Sequence, residues 1–214
     1  MSGAAEGRAA VESRVAAAAG PPATCAPEPS RAEVFESRLV ANGLLRGLYR
    51  RYVERMGLRG DERVLDYGSG GGAAARHLAK RLVAAGGRLT CMDVSARWQR
   101  AAKRVLRDYP DVEYRRGDVR AMALPDGCFD VVLVHWMLHD VPPPERPSIV
   151  TELARLLRPG GRLFVREPTA AKHGIPALEA RALLGGAGLE ETLTSEGKAL
   201  VLGAHYRAVW TKPA

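Results

Sequence analysis

The sequence predicts an α/β chain: a doubly wound, mostly parallel, seven-stranded sheet with an antiparallel C-terminal hairpin strand. Three observations carry that prediction. Beyond residue 61, short apolar runs alternate with helix-forming stretches, and strands joined by crossover helices pair in parallel with right-handed connections. A glycine turn, Gly68-Ser69-Gly70-Gly71-Gly72, joins the apolar run Val64-Leu65-Asp66 directly to a helix former, Ala73-Ala74-Ala75-Arg76-His77-Leu78. Near the C-terminus two strand-like runs are separated only by Gly203-Ala204, a link short enough for a hairpin.

Residues 1–30 are rich in Ala, Gly and Pro and end in Gly-Pro-Pro-Ala-Thr-Cys-Ala-Pro-Glu-Pro-Ser. Such a composition does not bury enough apolar surface to fold, so a disordered tail is expected. It lacks the basic start and unbroken apolar core of a secretory signal, and its glutamates weigh against a mitochondrial transit peptide. From Arg31 the pattern becomes helical. Ser30 is the expected N-cap, with Glu33 three residues on. Phe35, Leu39, Leu44, Leu45, Leu48, Tyr49, Tyr52, Val53 and Met56 recur at helical spacing. Gly43 is expected to separate two short helices, and residues 57–61 to end the second. Residues 31–58 thus form a helical cover, ahead of a ligand-binding domain over 59–214.

Within that domain, strands are expected over 63–66, 88–93, 112–115, 129–134, 161–166, 190–201 and 205–211. Helices are expected over 73–85, 96–108, 145–158 and 176–187. In an open α/β sheet the ligand sits beyond the carboxyl ends of the strands, at the point where strand order reverses. Those ends carry polar residues: Asp66, Asp93, the Gly117-Asp118-Val119 segment, His135 and Glu167. Glycine permits positive φ and close approach of a ligand to the backbone. The glycines alternate at 68, 70 and 72, two residues after an acid. That suits a ligand with a positive amine better than a pyrophosphate on a Gly-x-Gly-x-x-Gly turn.

With these motifs in register, the chain resembles the class I S-adenosylmethionine-dependent methyltransferases over about residues 61–166. The resemblance implies that Asp66, Gly68, Gly70 and Gly72 cradle the methionine part of S-adenosylmethionine. It implies that Asp93 binds both ribose hydroxyls, with Val94 beside it. Asp118 would meet the adenine amine and the Val119 backbone the ring. Asp93 could instead merely cap the helix beginning near Ser95. The run Phe-Asp-Val-Val-Leu-Val-His-Trp-Met-Leu-His-Asp-Val looks like the family's fourth-strand motif. Leu-Leu-Arg-Pro-Gly-Gly-Arg-Leu looks like its turn into the fifth strand, with Gly160-Gly161 read as a helix stop and tight turn.

On the acceptor side, His135, His139, Asp140, Glu167 and His173 fall on loops at the same edge. His139, His135 and Glu167 are the candidate catalytic residues. His139 leads as a base, because imidazole titrates near neutrality and the family often has a histidine there. Packing of the loop is the competing role. His135 is expected to line the cofactor or acceptor pocket, with Trp136 as wall or core. Phe35, Leu39, Tyr49 and Tyr52 are read as core contacts, with an apolar acceptor as their alternative use. The four-residue spacing of His135 and His139 matches metal ligands only on a helix, and no acid or cysteine completes a site, so no metal is expected.

The chain has 214 residues and a net charge of +8. The excess of Arg over Lys is read as a solvated surface, although it leaves an RNA- or lipid-modifying enzyme as an alternative. No nucleic-acid module is present, and no apolar run approaches a membrane span. Cys25, Cys91 and Cys128 have no paired spacing, which points to a reducing, cytoplasmic setting. The expected function is methyl transfer to a small organic acceptor at oxygen, nitrogen or carbon. A non-catalytic cofactor-binding regulatory partner is a further alternative. Neither acceptor identity nor oligomeric state is readable.

Overall fold

The computed structural model describes residues 28–170, 174–199 and 203–214. Cys25, His173, Val201 and most of the expected tail lie outside the described residues. Helix α1 (Arg31–Leu39) begins at Ser30, whose hydroxyl accepts from the Glu33 amide at 3.1 Å. The Glu33 carboxylate accepts from the Ser30 amide at 2.6 Å, completing a capping box. Gly43 does not break the helix outright. It lies in a π-helical turn, Val40–Leu44, that leads into α2 (Arg46–Glu54). Glu28, placed in the tail by composition, accepts from the Ser95 hydroxyl and the Ala96 amide at 2.7 and 2.8 Å.

The alternating part follows as β1 (Arg63–Tyr67), α3 (Ala75–Val83), β2 (Arg88–Asp93), α4 (Ala96–Val105) and β3 (Glu113–Arg116). It continues with β4 (Phe129–His135), α5 (Arg146–Leu156), β5 (Leu157–Pro168), α6 (Ala177–Gly186), β6 (Glu190–Ala199) and β7 (Gly203–Thr211). The seven strands lie in the order β3-β2-β1-β4-β5-β7-β6. β1 to β5 pair in parallel, and β7 runs antiparallel to both β5 and β6. The central strands are covered on both faces, which is why they read as unbroken apolar runs rather than alternating ones. One face packs Leu65, Val132, Leu153 and Leu163 against α5 and α6. The other packs Leu78, Leu133 and Phe164 with Tyr52 and Val53 of α2.

Several elements differ in extent from expectation. β7 begins at Gly203, so Gly203 and Ala204, expected to link the hairpin, instead pair with Ala199 and Lys198 of β6, and the connection itself lies outside the described residues. β5 starts at Leu157, four residues before the predicted 161, because Leu157 already pairs with Phe129. The chain then shifts register before pairing resumes between Val131 and Arg162. Gly160 takes φ +69° in that excursion, and a Cβ at Gly161 would come within 2.8 Å of the Arg158 carbonyl oxygen. Gly160 and Gly161 therefore shape an irregularity inside the strand pairing, not a ligand contact. Among the described residues no helix is long and apolar enough to cross a membrane.

β1 lies between β2 and β4, so the chain departs to one side of it and later returns on the other. That places a crevice at the carboxyl ends of β1 and β4. The sheet centre holds it in place. Leu65 is wholly buried at this centre, whereas Leu44 is 83 % exposed on the cover. Leu65→Ala should destabilise the protein by about 2–5 kcal/mol and Leu44→Ala by less than about 0.5 kcal/mol, as read from urea midpoints.

Candidate active site

The glycine turn is fixed from below by β2. The Gly68 and Ser69 amides both donate to the Met92 carbonyl, at 2.8 and 3.1 Å, and Gly72 N–H closes the turn on Ser69 O at 3.0 Å. Gly68 has φ +72°, and a Cβ there would lie 1.9 Å from Met137 Cγ. No side chain fits without displacing the loop after β4. Gly70 is also in the left-handed region, at φ +50°. From above, Asn42 Nδ2 in the π-helical turn donates to Gly71 O at 3.2 Å, tying the cover to the turn.

A cavity of about 300 Å³ opens over this turn. It unites Asp66, Asp93, Val94 and Asp118 from the first three strand ends with His135 and Trp136 from the fourth. Ser37, Ala41 and Tyr49 of the cover wall it on one side. Trp136 holds φ +55° at the end of β4, a costly conformation for an aromatic residue and one that clusters at functional sites.

Asp66 and Asp93 are buried at neighbouring strand ends. Asp93 is satisfied: its two oxygens accept from the Gly70 amide and the Ser95 amide, each at 2.9 Å. Ser95 itself caps α4 by accepting from the Trp98 amide, so Asp93 supports the helix start without being its cap. Asp66 differs. Its Oδ2 is buried with no hydrogen-bond partner. Burial, reinforced by the nearby Asp93 charge, pushes its pKa up to about 7. Asp118 faces the cavity with its carboxylate held by Arg120, which also reaches Glu145 at 2.6 Å.

The loop after β4 hangs on Glu167, which is wholly buried at the end of β5. Its Oε1 accepts from the Met137 and Leu138 amides at 3.0 and 2.9 Å. Its Oε2 accepts from the His139 amide at 3.3 Å and meets His139 Nδ1 at 2.7 Å. His139 Nε2 faces Asp140 Oδ1 at 3.4 Å, and Asp140 lines the cavity. Burial works to lower the His139 pKa, but the bond to Glu167 and the charges of Glu167 and Asp140 outweigh it and leave it raised. His135 moves the other way. Packed against Tyr49 and Tyr52 at ring distances of 5.2 and 4.9 Å, it is pushed down to about 3 by burial and by Arg166.

Of the expected site residues, Asp66, Gly68, Gly70, Asp93, Val94, Asp118 and His135 share the cavity wall. Four others sit elsewhere. Gly72 packs against α4, where a Cβ would be 3.3 Å from Ala102 Cα. The Val119 side chain is wholly buried in the core. His139 and Glu167 stand behind the wall. Phe35 and Leu39, read as core contacts, are 60 % and 56 % exposed, because α1 lies on the surface and buries no residue. Trp98, Asn42 and Arg120 join the site without having been singled out. Arg120, two residues past Asp118, was the most readable of them.

A family model described as a methyltransferase domain matches residues 65–165. The ubiquinone/menaquinone biosynthesis C-methyltransferase UbiE of Hahella chejuensis is 30% identical over 133 residues, 60% of this chain and 52% of its own length. Over residues 65–165, a little under half of its length, the chain is thus similar to the methyltransferase domain of the class I S-adenosylmethionine-dependent enzymes. Its cofactor is S-adenosylmethionine. The chain spans about half the length of the curated relatives it matches. Among solved structures, the N-methyltransferase NodS of Bradyrhizobium japonicum, in complex with S-adenosyl-L-homocysteine, superposes with TM-score 0.68 at 20% identity. That match covers 83% of this chain and 91% of NodS. An S-adenosylmethionine-dependent methyltransferase from Aquifex aeolicus gives 0.66 at 19% identity, covering 86% of this chain and 99% of its own. These likenesses show a shared methyltransferase fold.

Glu167→Ala leaves three backbone amides, of Met137, Leu138 and His139, without an acceptor and should cost about 3 kcal/mol of stability, measured by denaturant unfolding. Glu167→Gln is the milder test. The raised His139 pKa means that its pairing with Glu167 favours the protonated imidazole. The resulting stabilisation is complete below the ordinary histidine value and disappears as pH rises through the folded one. In Glu167→Gln the His139 pKa should fall, as followed by NMR titration of its ring protons.

Proposed function

We propose that this protein transfers a methyl group from S-adenosylmethionine to a small organic acceptor by direct displacement, in the cytoplasm. The observation that carries this reading is Asp66: a buried carboxyl oxygen without a partner, on the wall of a cavity floored by the glycine turn. A cationic amine fits that vacancy in hydrogen bonding and in charge. In this reading Asp66, Gly68 and Gly70 hold the methionine end, and Asp93 takes the ribose hydroxyls. Val94, Asp118 and the Val119 backbone border the adenine. Gly72 contributes by letting α4 pack close. Bound there, the cofactor supplies an electrophilic methyl group on a sulfonium.

The chain's own residues then have to orient the acceptor and receive its proton. His139 is the proposed base, with its Nδ1 fixed by Glu167 and its Nε2 turned towards Asp140 at the cavity. Glu167 is a positioning residue, since its oxygens are engaged by the loop and the imidazole. His135 is the wall of the acceptor end. An imidazole whose conjugate acid titrates near 3 takes no proton from an acceptor at neutral pH. The wall provided by Ser37, Ala41 and Tyr49 suits a small acceptor better than a polymer or a membrane surface.

The pH dependence of binding tests the assignment of Asp66. With the empty-site pKa near 7 and an ammonium favouring the carboxylate, binding below pH 7 must expel a proton. Affinity for S-adenosylhomocysteine should therefore rise with pH up to about 7 and level off above it. Calorimetry in two buffers of different ionisation enthalpy measures the released proton directly. Asp66→Asn should remove the pH dependence and weaken binding about tenfold or more. Asp93→Ala should weaken binding by a similar factor. Methyl-labelled cofactor incubated with a metabolite extract, followed by mass spectrometry, then reports the acceptor. Cofactor binding with no labelled product would favour a regulatory partner over an enzyme.

A further inference from the structure

Beyond His135 the cavity wall adjoins a group of cations and aromatic rings that the cofactor reading does not use. His135 on β4 pairs in register with Arg166 on β5, and Arg166 pairs with Arg207 on β7. Residues in register share one face of a sheet, and His205, two residues before Arg207, falls on that face as well. α2 covers it. Tyr52 packs on His135 and lies 5.5 Å from the Arg166 guanidinium carbon.

Arg166 is 9 % exposed, and its Nε has no hydrogen-bond partner. Its Nη2 meets His205 Nε2 at 3.3 Å, and His205 Nδ1 lies 3.0 Å from Gly203 O. Tyr52 is 6 % exposed, and its hydroxyl likewise has no partner. No carboxylate forms an ion pair with Arg166 among the described residues, and the charge nearest in register is another cation, Arg207. Stacking on Tyr52 offsets part of the cost of burying a guanidinium. It leaves the in-plane Nε donor unfilled, and the in-plane donors are the ones that grip a two-oxygen anion.

We infer that Arg166, with the Tyr52 hydroxyl, is the anchor for a carboxylate on the methyl acceptor, so that the substrate is a small carboxylic acid with an apolar or aromatic body. The position agrees with an acceptor and not with the cofactor. In strand order Arg166 on β5 lies beyond His135 on β4, away from Asp66 on β1 and Asp93 on β2, and it stands behind His135 and Tyr49, which line the cavity. Tyr49 and Trp136 offer flat apolar surface to the body of such a molecule. The inference rests on the methyl-transfer reading, because it assigns the acceptor end of that cavity.

The test uses the full chain saturated with S-adenosylhomocysteine, with Nε-labelled arginine observed by NMR. The Arg166 signal is assigned by its loss in Arg166→Lys. Benzoate should shift it saturably, while benzamide, of the same shape and no charge, should not. Arg166→Gln should weaken benzoate binding about tenfold or more, and Tyr52→Phe by a smaller factor. Both variants should keep the wild-type affinity for S-adenosylhomocysteine, which shows that they fold. Equal responses to benzoate and benzamide, an unmoved Arg166 signal, or undiminished benzoate binding in Arg166→Gln would each overturn the inference. So would a response to inorganic phosphate with none to benzoate. Failure of the wild-type protein to bind S-adenosylhomocysteine would instead sink the methyl-transfer reading itself.

Discussion

A carboxyl group buried without a partner at the end of β1 is the constraint on which the site depends. Leaving such an oxygen unsatisfied costs on the order of 1–3 kcal/mol, and the group adjusts by holding its proton up to about pH 7. The sheet can impose this because Asp66 is paired on both sides, with Cys91 of β2 and Leu133 of β4. Its backbone has no freedom to swing the carboxyl into water. The glycine turn adds to the confinement: with Met137 filling the space where a Cβ of Gly68 would be, the loop after β4 lies directly on the turn after β1. The strand order that creates the crevice therefore also creates the unsatisfied acid inside it.

The acids at the strand ends divide by how they are satisfied, and the division tracks what each can do. Glu167 spends its oxygens on three amides and an imidazole. It is scaffold, and its effect on chemistry passes through the orientation of His139. Asp93 is intermediate: it braces the glycine turn and the start of α4, yet borders the cavity. Asp66 alone of the three has an oxygen with nothing to accept from. A ligand gains most where the protein has left a polar atom unfilled, because the cost of burial has already been met in folding. The same logic separates Arg166 from Arg120. Arg120 is held between Asp118 and Glu145, whereas Arg166 is buried with a histidine ring, not a carboxylate, as its hydrogen-bonding partner.

Much of the fold was legible because it rests on local patterns. Alternating apolar runs and helix formers located the parallel strands and their helices, and two strand-like runs close in sequence located the hairpin, although Gly203 and Ala204, expected to link them, are paired residues of β7. The capping box at Ser30 was readable residue by residue. The π-helical turn at Val40–Leu44 was not, since one extra residue in a helix leaves the apolar spacing nearly intact. Nor was the early start of β5, where Leu157 pairs with Phe129 across a register shift that only the sheet reveals. Phe35 and Leu39 misled for a related reason: helical spacing shows that two residues share a face, not that another element covers it.

The same contrast explains why the residues gathered around the glycine turn could be singled out from the sequence and the cluster around Arg166 could not. Asp66, Gly68 and Gly70 are near neighbours in sequence, and Asp93 and Asp118 follow at the ends of successive strands. Their joint meaning survives in a one-dimensional pattern. The proposed acceptor end is assembled from Tyr49 and Tyr52 on α2, His135 on β4, Arg166 on β5 and His205 and Arg207 on β7. No spacing along the chain connects them. They meet because β7 inserts antiparallel beside β5 and sets Arg207 opposite Arg166, while α2 closes the face above. Shifting β7 by one residue would turn Arg207 to the opposite face of the sheet and bring Tyr206, now wholly buried, into its place. The Arg166 cluster is therefore set by the register of the C-terminal hairpin and by the packing of the cover, both distant in sequence from the glycine turn.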